Sequence, residues 1–321
     1  MNYRKLGNTD LEVSTICLGT MTWGEQNTQE DGFEQMDYAL EQGINFFDTA
    51  EVYSIPPKEE TYGKTEEIIG NWFKKKNNRS KVILATKFGA DSNARGSGLK
   101  GGGKRDYIVT SVEESLTRLN IDYIDLYQMH FPDNETPIDE TLRALDDLVT
   151  SGKVRYIGSS NFASWEISEA AWTSITNEVS NFVSLQTRYS ILNRDMEKEI
   201  VPACEKHSIS VLPFFPLESG LLTGKVKRDE DPPPGTRLAI WGGAFRSDWK
   251  FDLIDKIIEF GKSIDRNILE ISLSWAANQK QIGSVLVGAT KSEQLIQNIK
   301  AISWKMSPEE MDSINNILNE K

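Results

Sequence analysis

At 321 residues and 36.2 kDa, the chain is long enough for one large α/β domain or two small ones. A composition with 38% hydrophobic residues, 26% charged residues and eight tryptophans provides a sizeable core and excludes a disordered chain. The 36 basic residues face 48 acidic ones, and this net charge of -12 argues against nucleic acid or an anionic membrane surface as a partner.

The amino-terminal segment and the cysteines indicate the compartment. Residues 1–10, MNYRKLGNTD, contain no apolar targeting segment, and no apolar run approaches the roughly 18 residues that a membrane span needs. Cys17 lies in an apolar run and Cys204 in a helix-like segment, and neither belongs to a CxxC motif. We therefore expect a cytoplasmic protein with two free buried thiols, no metal site and no membrane partner.

Short β-rich apolar runs recur along the chain, and each is followed by a longer stretch with helical periodicity. The eight runs are 14–20, 44–50, 81–87, 124–130, 154–160, 182–188, 210–216 and 283–289. Most are nearly continuous in apolar residues, as parallel strands buried on both faces are. The pattern predicts an α/β fold, a closed (β/α)8 TIM barrel that occupies residues 1–321 as one domain.

Three segments fall outside this repeat. Residues 2–13 have the pattern of a short hairpin across Gly7 and Asn8, which would cover the bottom of the barrel. Residues 217–249 centre on a Pro-Pro-Pro-Gly stretch and predict a long loop at the top, after strand seven. The tail from 307 to 321 predicts an extra carboxy-terminal helix, because Ser307 and Glu310 have the spacing of a capping box.

Polar residues stand at the carboxyl ends of consecutive predicted strands, where a (β/α)8 barrel carries its site. The residues at strands two to six are Asp48, Lys87, His130, the pair Ser160 and Asn161, and Gln186. Ordinary structural roles are also open to them, since a strand-end lysine commonly reaches water and an aspartate commonly caps a turn. A carboxylate, an ammonium and an imidazole after three neighbouring strands nevertheless predict one convergent site.

Tyr53 follows Asp48 in a loop that can fold back over the barrel mouth. A lysine about 4 Å away, at an effective dielectric near 20, stabilises a phenolate by about 4 kcal/mol. We therefore expect Lys87 to lower the pKa of Tyr53 by about two units, with Asp48 keeping the lysine charged. His130 would supply a hydrogen bond to a substrate carbonyl oxygen. The alternative is a barrel aldolase in which Lys87 forms a Schiff base.

These residues are suited to protonating an oxyanion but provide no hydride, so a carbonyl reductase with this site would need a cofactor. The glycine-rich segments differ in what they indicate about its binding site. Gly96, Gly98 and Gly101 spell GxGxxG, but they lie well beyond a strand end and predict a flexible loop instead of a dinucleotide fingerprint. Residues 219–225 and 288–292 follow strands seven and eight, where barrels often hold phosphate. These two loops form the predicted cofactor site.

Four motifs together resemble the aldo-keto reductase family, in its bacterial Tas-like branch, over essentially the whole chain. They are GTMTWGEQN, AEVYSIPPKEET, GKVRYIGSSNF and LVGATKSEQLIQNIKA. The resemblance implies carbonyl reduction with NADPH, and it implies that Asp48, Tyr53, Lys87 and His130 form a catalytic tetrad. Some relatives serve channels and turn over slowly, which leaves a cofactor-binding sensor or regulatory subunit as the alternative function.

The same resemblance implies where NADP(H) binds. Nicotinamide contacts fall on Ser160, Asn161, Gln186 and Phe214, and pyrophosphate contacts on Leu217, Ser219, Gly220 and Leu222. Adenosine contacts fall on Gly288, Lys291, Gln294 and Asn298, with Lys291 implied at the 2′-phosphate. Thr290 stands where many relatives carry arginine, which leaves NADH as the alternative cofactor.

The substrate side of the site is indicated only by aromatic residues on loops. Trp23, Phe131 and Trp241 predict an apolar pocket for a small-molecule carbonyl substrate. The same residues would serve equally to pack a loop against the scaffold. We expect a monomer, with an oligomer as the alternative.

Overall fold

The computed structural model describes residues 1–90, 95, 101–234, 236–241 and 246–319, without the side chains of residues 240 and 241. Its first element is an antiparallel hairpin of β1 (Tyr3–Lys5) and β2 (Glu12–Ser14). Leu6, Leu11 and Val13 of this hairpin are buried against side chains of the barrel interior. The hairpin therefore covers the bottom of the barrel, as the sequence predicts.

Parallel strands form the barrel in their order along the chain. In the described ranges they are β3 (Ile16–Gly19), β4 (Phe46–Asp48), β5 (Ile83–Phe88), β6 (Ile124–Met129), β7 (Val154–Ser160), β8 (Phe182–Arg188), β9 (Ser210–Phe214) and β10 (Val285–Gly288). β10 pairs with β3 along a full ladder, whereas β9 meets the chain before β10 at a single bridge between Val211 and Ile282. The barrel is nearly closed, and all eight predicted runs are strands.

Helices surround the barrel. Those of the described chain are α1 (Gln29–Glu41), α2 (Lys64–Lys76), α3 (Arg105–Leu119), α4 (Ile138–Thr150), α5 (Ser164–Asn177), α6 (Ile200–Lys206), α7 (Arg237–Trp241), α8 (Asp248–Ser263), α9 (Ile268–Asn278), α10 (Ser292–Ser303) and α11 (Pro308–Asn319). Neighbours pack in chain order from α1 to α6, and α10 packs back on α1. None of these described helices has the combined length and apolarity that crossing a bilayer requires.

The two remaining predicted segments are also present. The long connection between β9 and α8 contains a 3₁₀ segment, Glu218–Thr223, and the short helix α7, so it is more ordered than a plain loop. Before α11, the Ser307 hydroxyl accepts from the Glu310 N–H at 3.2 Å, and the Glu310 carboxylate accepts from the Ser307 N–H at 2.7 Å. This capping box confirms the predicted carboxy-terminal helix.

The packing of α2 on α3 depends on Gly70. A Cβ at this position would lie 2.4 Å from the carbonyl oxygen of Arg118 and 2.7 Å from the backbone of Leu119. We expect Gly70→Ala to push the helices apart and to lower the free energy of unfolding by about 1–3 kcal/mol, measured by urea titration. Lys74→Ala, on the exposed side of α2, is the control. Equal stability of the two variants would contradict this account of the helix contact.

Candidate active site

A buried ion pair joins the ends of β4 and β5. Asp48 and Ala85 are register partners, and Lys87 lies two residues beyond Ala85 on the same face of β5. Lys87 Nζ donates to Asp48 Oδ2 at 2.6 Å and to the Thr49 carbonyl oxygen at 2.8 Å, and both charged side chains are buried. Burial alone would lower the pKa of Lys87, but Asp48 and Tyr53 outweigh burial and raise that pKa. The lysine therefore stays protonated.

The second carboxylate oxygen of Asp48 is held by two glutamines. Asp48 Oδ1 accepts from Gln128 Nε2 at 3.0 Å and from Gln186 Nε2 at 2.9 Å. Gln128 is the register partner of Lys87 on β6, and the sequence reasoning missed it. Its signal was a glutamine inside a strand whose residues are otherwise mostly apolar. Gln186, expected at the nicotinamide, also fixes the carboxylate.

Tyr53 reaches the ion pair from the loop after β4. Its hydroxyl lies 3.4 Å from Lys87 Nζ. The expected lowering of the Tyr53 pKa is wrong: burial raises this pKa above its ordinary value, and the field of Lys87 does not overcome that effect. Asp48 acts in the same direction as burial, because its negative charge disfavours a phenolate. The phenol is therefore protonated at neutral pH.

His130 follows β6 and faces the Tyr53 ring edge-on, with ring centroids 6.0 Å apart. The imidazole also stacks on the Phe131 ring, with ring centroids 4.8 Å apart. Asn161 Nδ2 donates to the backbone carbonyl oxygen of His130 at 2.9 Å. His130 Nδ1 is buried and has no hydrogen-bond partner among the described residues. Burial, together with Lys87, lowers the pKa of His130 well below its ordinary value. The imidazole is therefore neutral at physiological pH.

These groups share a cavity of about 420 Å³ at the top of the barrel. Of the residues expected to contact substrate or nicotinamide, its lining includes Asp48, Tyr53, His130, Phe131, Ser160, Asn161, Gln186 and Phe214. Lys87 is absent from the described lining, but its ammonium contacts two residues that belong to it, Asp48 and Tyr53. The remaining wall is mostly apolar, with Met21, Val52 and Ile55 among its residues.

The aromatic residues expected in the substrate pocket have different positions. Phe131 lines the cavity and is 48% exposed. The expectation for Trp23 is wrong. Its side chain is fully buried in the core around the barrel, and its indole N–H donates there to Gln35 of α1 at 3.2 Å. Trp241 ends α7, and its side chain lies outside the described residues.

A second cavity, of about 210 Å³, adjoins the first. Both are lined by Phe215, Arg237, Leu286 and Gly288. Of the residues expected along the pyrophosphate and adenosine, the second cavity is lined by Leu217, Ser219, Gly220, Gly288, Gln294 and Asn298. Two expected residues stay outside its described lining, because Leu222 packs in the core and Lys291 is exposed before α10. Gly96 and Gly98 of the other glycine-rich segment lie outside the described residues.

The segment after β9, which lines this second cavity, has an unusual backbone. Phe215, Glu218 and Ser219 have φ angles of 54°, 48° and 58°, in the left-handed region that residues other than glycine rarely adopt. Each such residue costs on the order of 1–3 kcal/mol unless its surroundings compensate. The Ser219 hydroxyl is buried, and no described residue hydrogen bonds to it.

Arg237 of α7 connects the two cavities, and the sequence reasoning missed it. One of its terminal nitrogens would lie 3.2 Å from a Cβ placed on Gly288. Burial lowers the pKa of Arg237, while Tyr53 acts in the opposite direction. Within the part of the chain that the structure describes, no carboxylate pairs with this guanidinium, and no cluster of His, Cys, Asp or Glu could hold a metal ion. Position 237 lies in the stretch 217–249, which the sequence predicted as a long loop and in which periodicity gives no signal.

Comparisons with known proteins indicate one family. The aldo/keto reductase family matches residues 15–319. The chain is 32% identical to Protein tas of Escherichia coli (strain K12), over 98% of this chain and 96% of that protein. It is 36% identical to the uncharacterized oxidoreductase YrpG of Bacillus subtilis (strain 168), over 99% and 96%. It is 30% identical to the putative voltage-gated potassium channel subunit beta of Schizosaccharomyces pombe, over 99% and 93%.

The eight-stranded barrel, its polar upper end and the family match over nearly the whole chain agree with one another. They also agree with the motifs from which the resemblance was inferred, including the likeness to Tas. The chain belongs to the aldo/keto reductase family.

Proposed function

We propose that this protein is an NADPH-dependent oxidoreductase that reduces an aldehyde or ketone to an alcohol, with Tyr53 as the general acid. One observation carries the proposal: the protonated phenol of Tyr53 lies 3.4 Å from a buried, charged Lys87, at a cavity that continues into a second one. Membership of an oxidoreductase family supports the reaction class. When bound, the nicotinamide supplies the hydride that no side chain can provide.

The second cavity is suited to the pyrophosphate and adenosine part of an anionic dinucleotide. Ser219 and the half-buried Arg237 both line it, and among the described residues neither the Ser219 hydroxyl nor the Arg237 guanidinium has a hydrogen-bonding or acidic partner. A pyrophosphate would satisfy both, and satisfying a buried polar group is worth about 1–3 kcal/mol. The residues that would hold the cofactor are Leu217, Ser219, Gly220 and Arg237 at the pyrophosphate, Gly288, Gln294 and Asn298 at the adenosine, and Ser160, Asn161, Gln186 and Phe214 at the nicotinamide.

In the proposed reaction, the substrate carbonyl oxygen accepts hydrogen bonds from the Tyr53 hydroxyl and from the N–H of neutral His130. As negative charge develops on this oxygen, the O–H bond of Tyr53 breaks and the alcohol O–H bond forms. Lys87 stabilises the phenolate that remains. Asp48 holds Lys87 in place and protonated.

The protonation state of Lys87 argues against the aldolase alternative. A Schiff base requires a neutral amine, which burial alone would favour. Asp48 nevertheless raises the pKa of Lys87 from a distance of 2.6 Å. The ammonium is suited to stabilising an anion and not to attacking a carbonyl carbon.

A regulatory subunit that binds the cofactor and turns over slowly is the second candidate. Relatives from Schizosaccharomyces pombe and Arabidopsis thaliana are named as potassium channel beta subunits, which favours this alternative. A panel of aldehydes, ketones and quinones with NADPH and with NADH separates the two functions, read by the loss of nicotinamide absorbance. Rapid turnover supports the reductase, and tight NADPH binding without turnover across the panel supports the regulatory subunit.

The Tyr53→Phe variant tests the general acid. It removes the transferable proton and keeps the ring, so we expect NADPH binding to persist and kcat to fall by about 10²–10⁴-fold. Tyr127→Phe is the control, because it removes a buried hydroxyl that has no hydrogen-bond partner among the described residues and does not line the described cavity. Turnover retained by Tyr53→Phe would refute the assignment.

The neutral state of His130 predicts a pH dependence of stability. Because burial depresses its folded pKa below the unfolded value of about 6.5, the unfolded chain binds a proton that the folded chain does not. The free energy of unfolding therefore has its full value above about pH 6.5, and it falls as the pH drops below 6.5 and the unfolded chain takes up the proton. Relative to His130→Gln, the wild type should lose about 1.4 kcal/mol of unfolding free energy between about pH 7.5 and 5.5, measured by urea titration. A difference independent of pH would mean that folded His130 titrates normally.

A further inference from the structure

Residues 215–220, which follow β9, have a left-handed backbone at several positions that are not glycine. Phe215, Glu218 and Ser219 have positive φ angles, and only Gly220, at 108°, is a residue that adopts such angles freely. A short segment with this backbone would relax unless other parts of the molecule hold it.

Glu218 connects this segment to other elements of the fold. Its side chain is wholly buried, and its carboxylate accepts from Arg188 Nη2 at 2.7 Å, from Lys250 Nζ at 2.9 Å and from Ser190 Oγ at 2.9 Å. Arg188 ends β8, and Lys250 lies on α8. The segment is therefore fixed by ion pairs to two separate elements of the fold.

The residues on either side of Glu218 line the second cavity. Leu217, Ser219 and Gly220 line the second cavity, whereas Glu218 is absent from its described lining. The hydroxyl of Ser219, one of these lining residues, has no hydrogen-bond partner in the described structure. Anchoring Glu218 in the protein therefore sets which groups a ligand in the cavity meets.

We propose that Glu218 is a positioning residue for the dinucleotide: its ion pairs hold residues 215–220 in the binding-competent backbone before the cofactor arrives. This inference rests on the proposed function, since it concerns the same cofactor. An apparent Kd equals the intrinsic Kd divided by the competent fraction of the protein. Glu218 keeps that fraction near one, so the cofactor need not order the segment as it binds.

The Glu218→Gln variant tests this role. A glutamine keeps the size of the side chain but places an amide between two cations, so the segment should leave its left-handed backbone for much of the time. We expect the Kd of NADPH, measured by nicotinamide fluorescence, to rise about 10–100-fold, as a competent fraction of roughly 0.1–0.01 requires. With NADPH saturating, kcat should stay within about twofold of the wild type, because Glu218 does not line the first cavity.

Two further variants separate positioning from general stability. Lys250→Met removes the other end of an ion pair from α8 and should weaken NADPH binding in the same direction. Glu197→Gln is the control: the Glu197 carboxylate, like that of Glu218, accepts from an arginine and from a hydroxyl, here Arg194 and Tyr189, but Glu197 is absent from the described lining of both cavities. It should lower the melting temperature without changing the Kd.

The outcomes distinguish this inference from the proposed function. A wild-type protein that does not bind NADPH or NADH overturns the proposed function and this inference with it. A wild type that binds, with Glu218→Gln and Lys250→Met binding equally well, overturns the positioning role alone. A loss of kcat at saturating NADPH equal to the rise in Kd also overturns it, because Glu218 would then act on the reacting groups. If Glu218→Gln does not fold, the comparison of Lys250→Met with Glu197→Gln decides the question.

Discussion

The buried ion pair between Lys87 and Asp48 is the interaction on which the upper half of the barrel depends. Two charges taken out of water are unfavourable unless they pair and their remaining hydrogen-bonding positions are filled. The ammonium gains the Thr49 carbonyl, and the carboxylate gains the amides of Gln128 and Gln186. The pair therefore requires a polar layer at the top of the barrel, whereas apolar side chains fill the interior below it down to the hairpin.

This layer also determines what kind of acid Tyr53 can be. Because Asp48 offsets the field of Lys87, burial governs the pKa of the phenol and keeps it protonated. On the proposed mechanism, the proton leaves as negative charge develops on the substrate oxygen and makes it a stronger base. A raised pKa keeps the phenol protonated but also makes it a weaker acid. The charge of Lys87 acts against this effect, because it lowers the pKa of Tyr53 and stabilises the phenolate that remains.

The sequence predicted the parts of the molecule that periodicity and strand ends determine. The eight strands were found because strands buried on both faces are nearly continuous in apolar residues, and the residues at their ends were found because a closed barrel brings those ends together. Loop residues were harder to assign, because a loop has no sequence periodicity that indicates where its side chains lie. Trp23 was assigned to the substrate pocket for that reason, and Arg237 was missed because it lies in the stretch predicted as a loop. Glu218 was missed because its partners are distant in sequence.

The chain and the proposed cofactor both carry negative charge. A net charge of -12 argues against binding a nucleic acid, yet NADPH is itself an anion. The difference lies in range: at physiological ionic strength, exposed charges are screened beyond about 8 Å, so the acidic surface contributes little inside the cavities. The half-buried Arg237 and the buried Ser219 hydroxyl lie there, where the lower dielectric strengthens their interaction with a phosphate. A nucleic acid needs an extended basic surface, whereas a dinucleotide needs only a few donors held in a buried site.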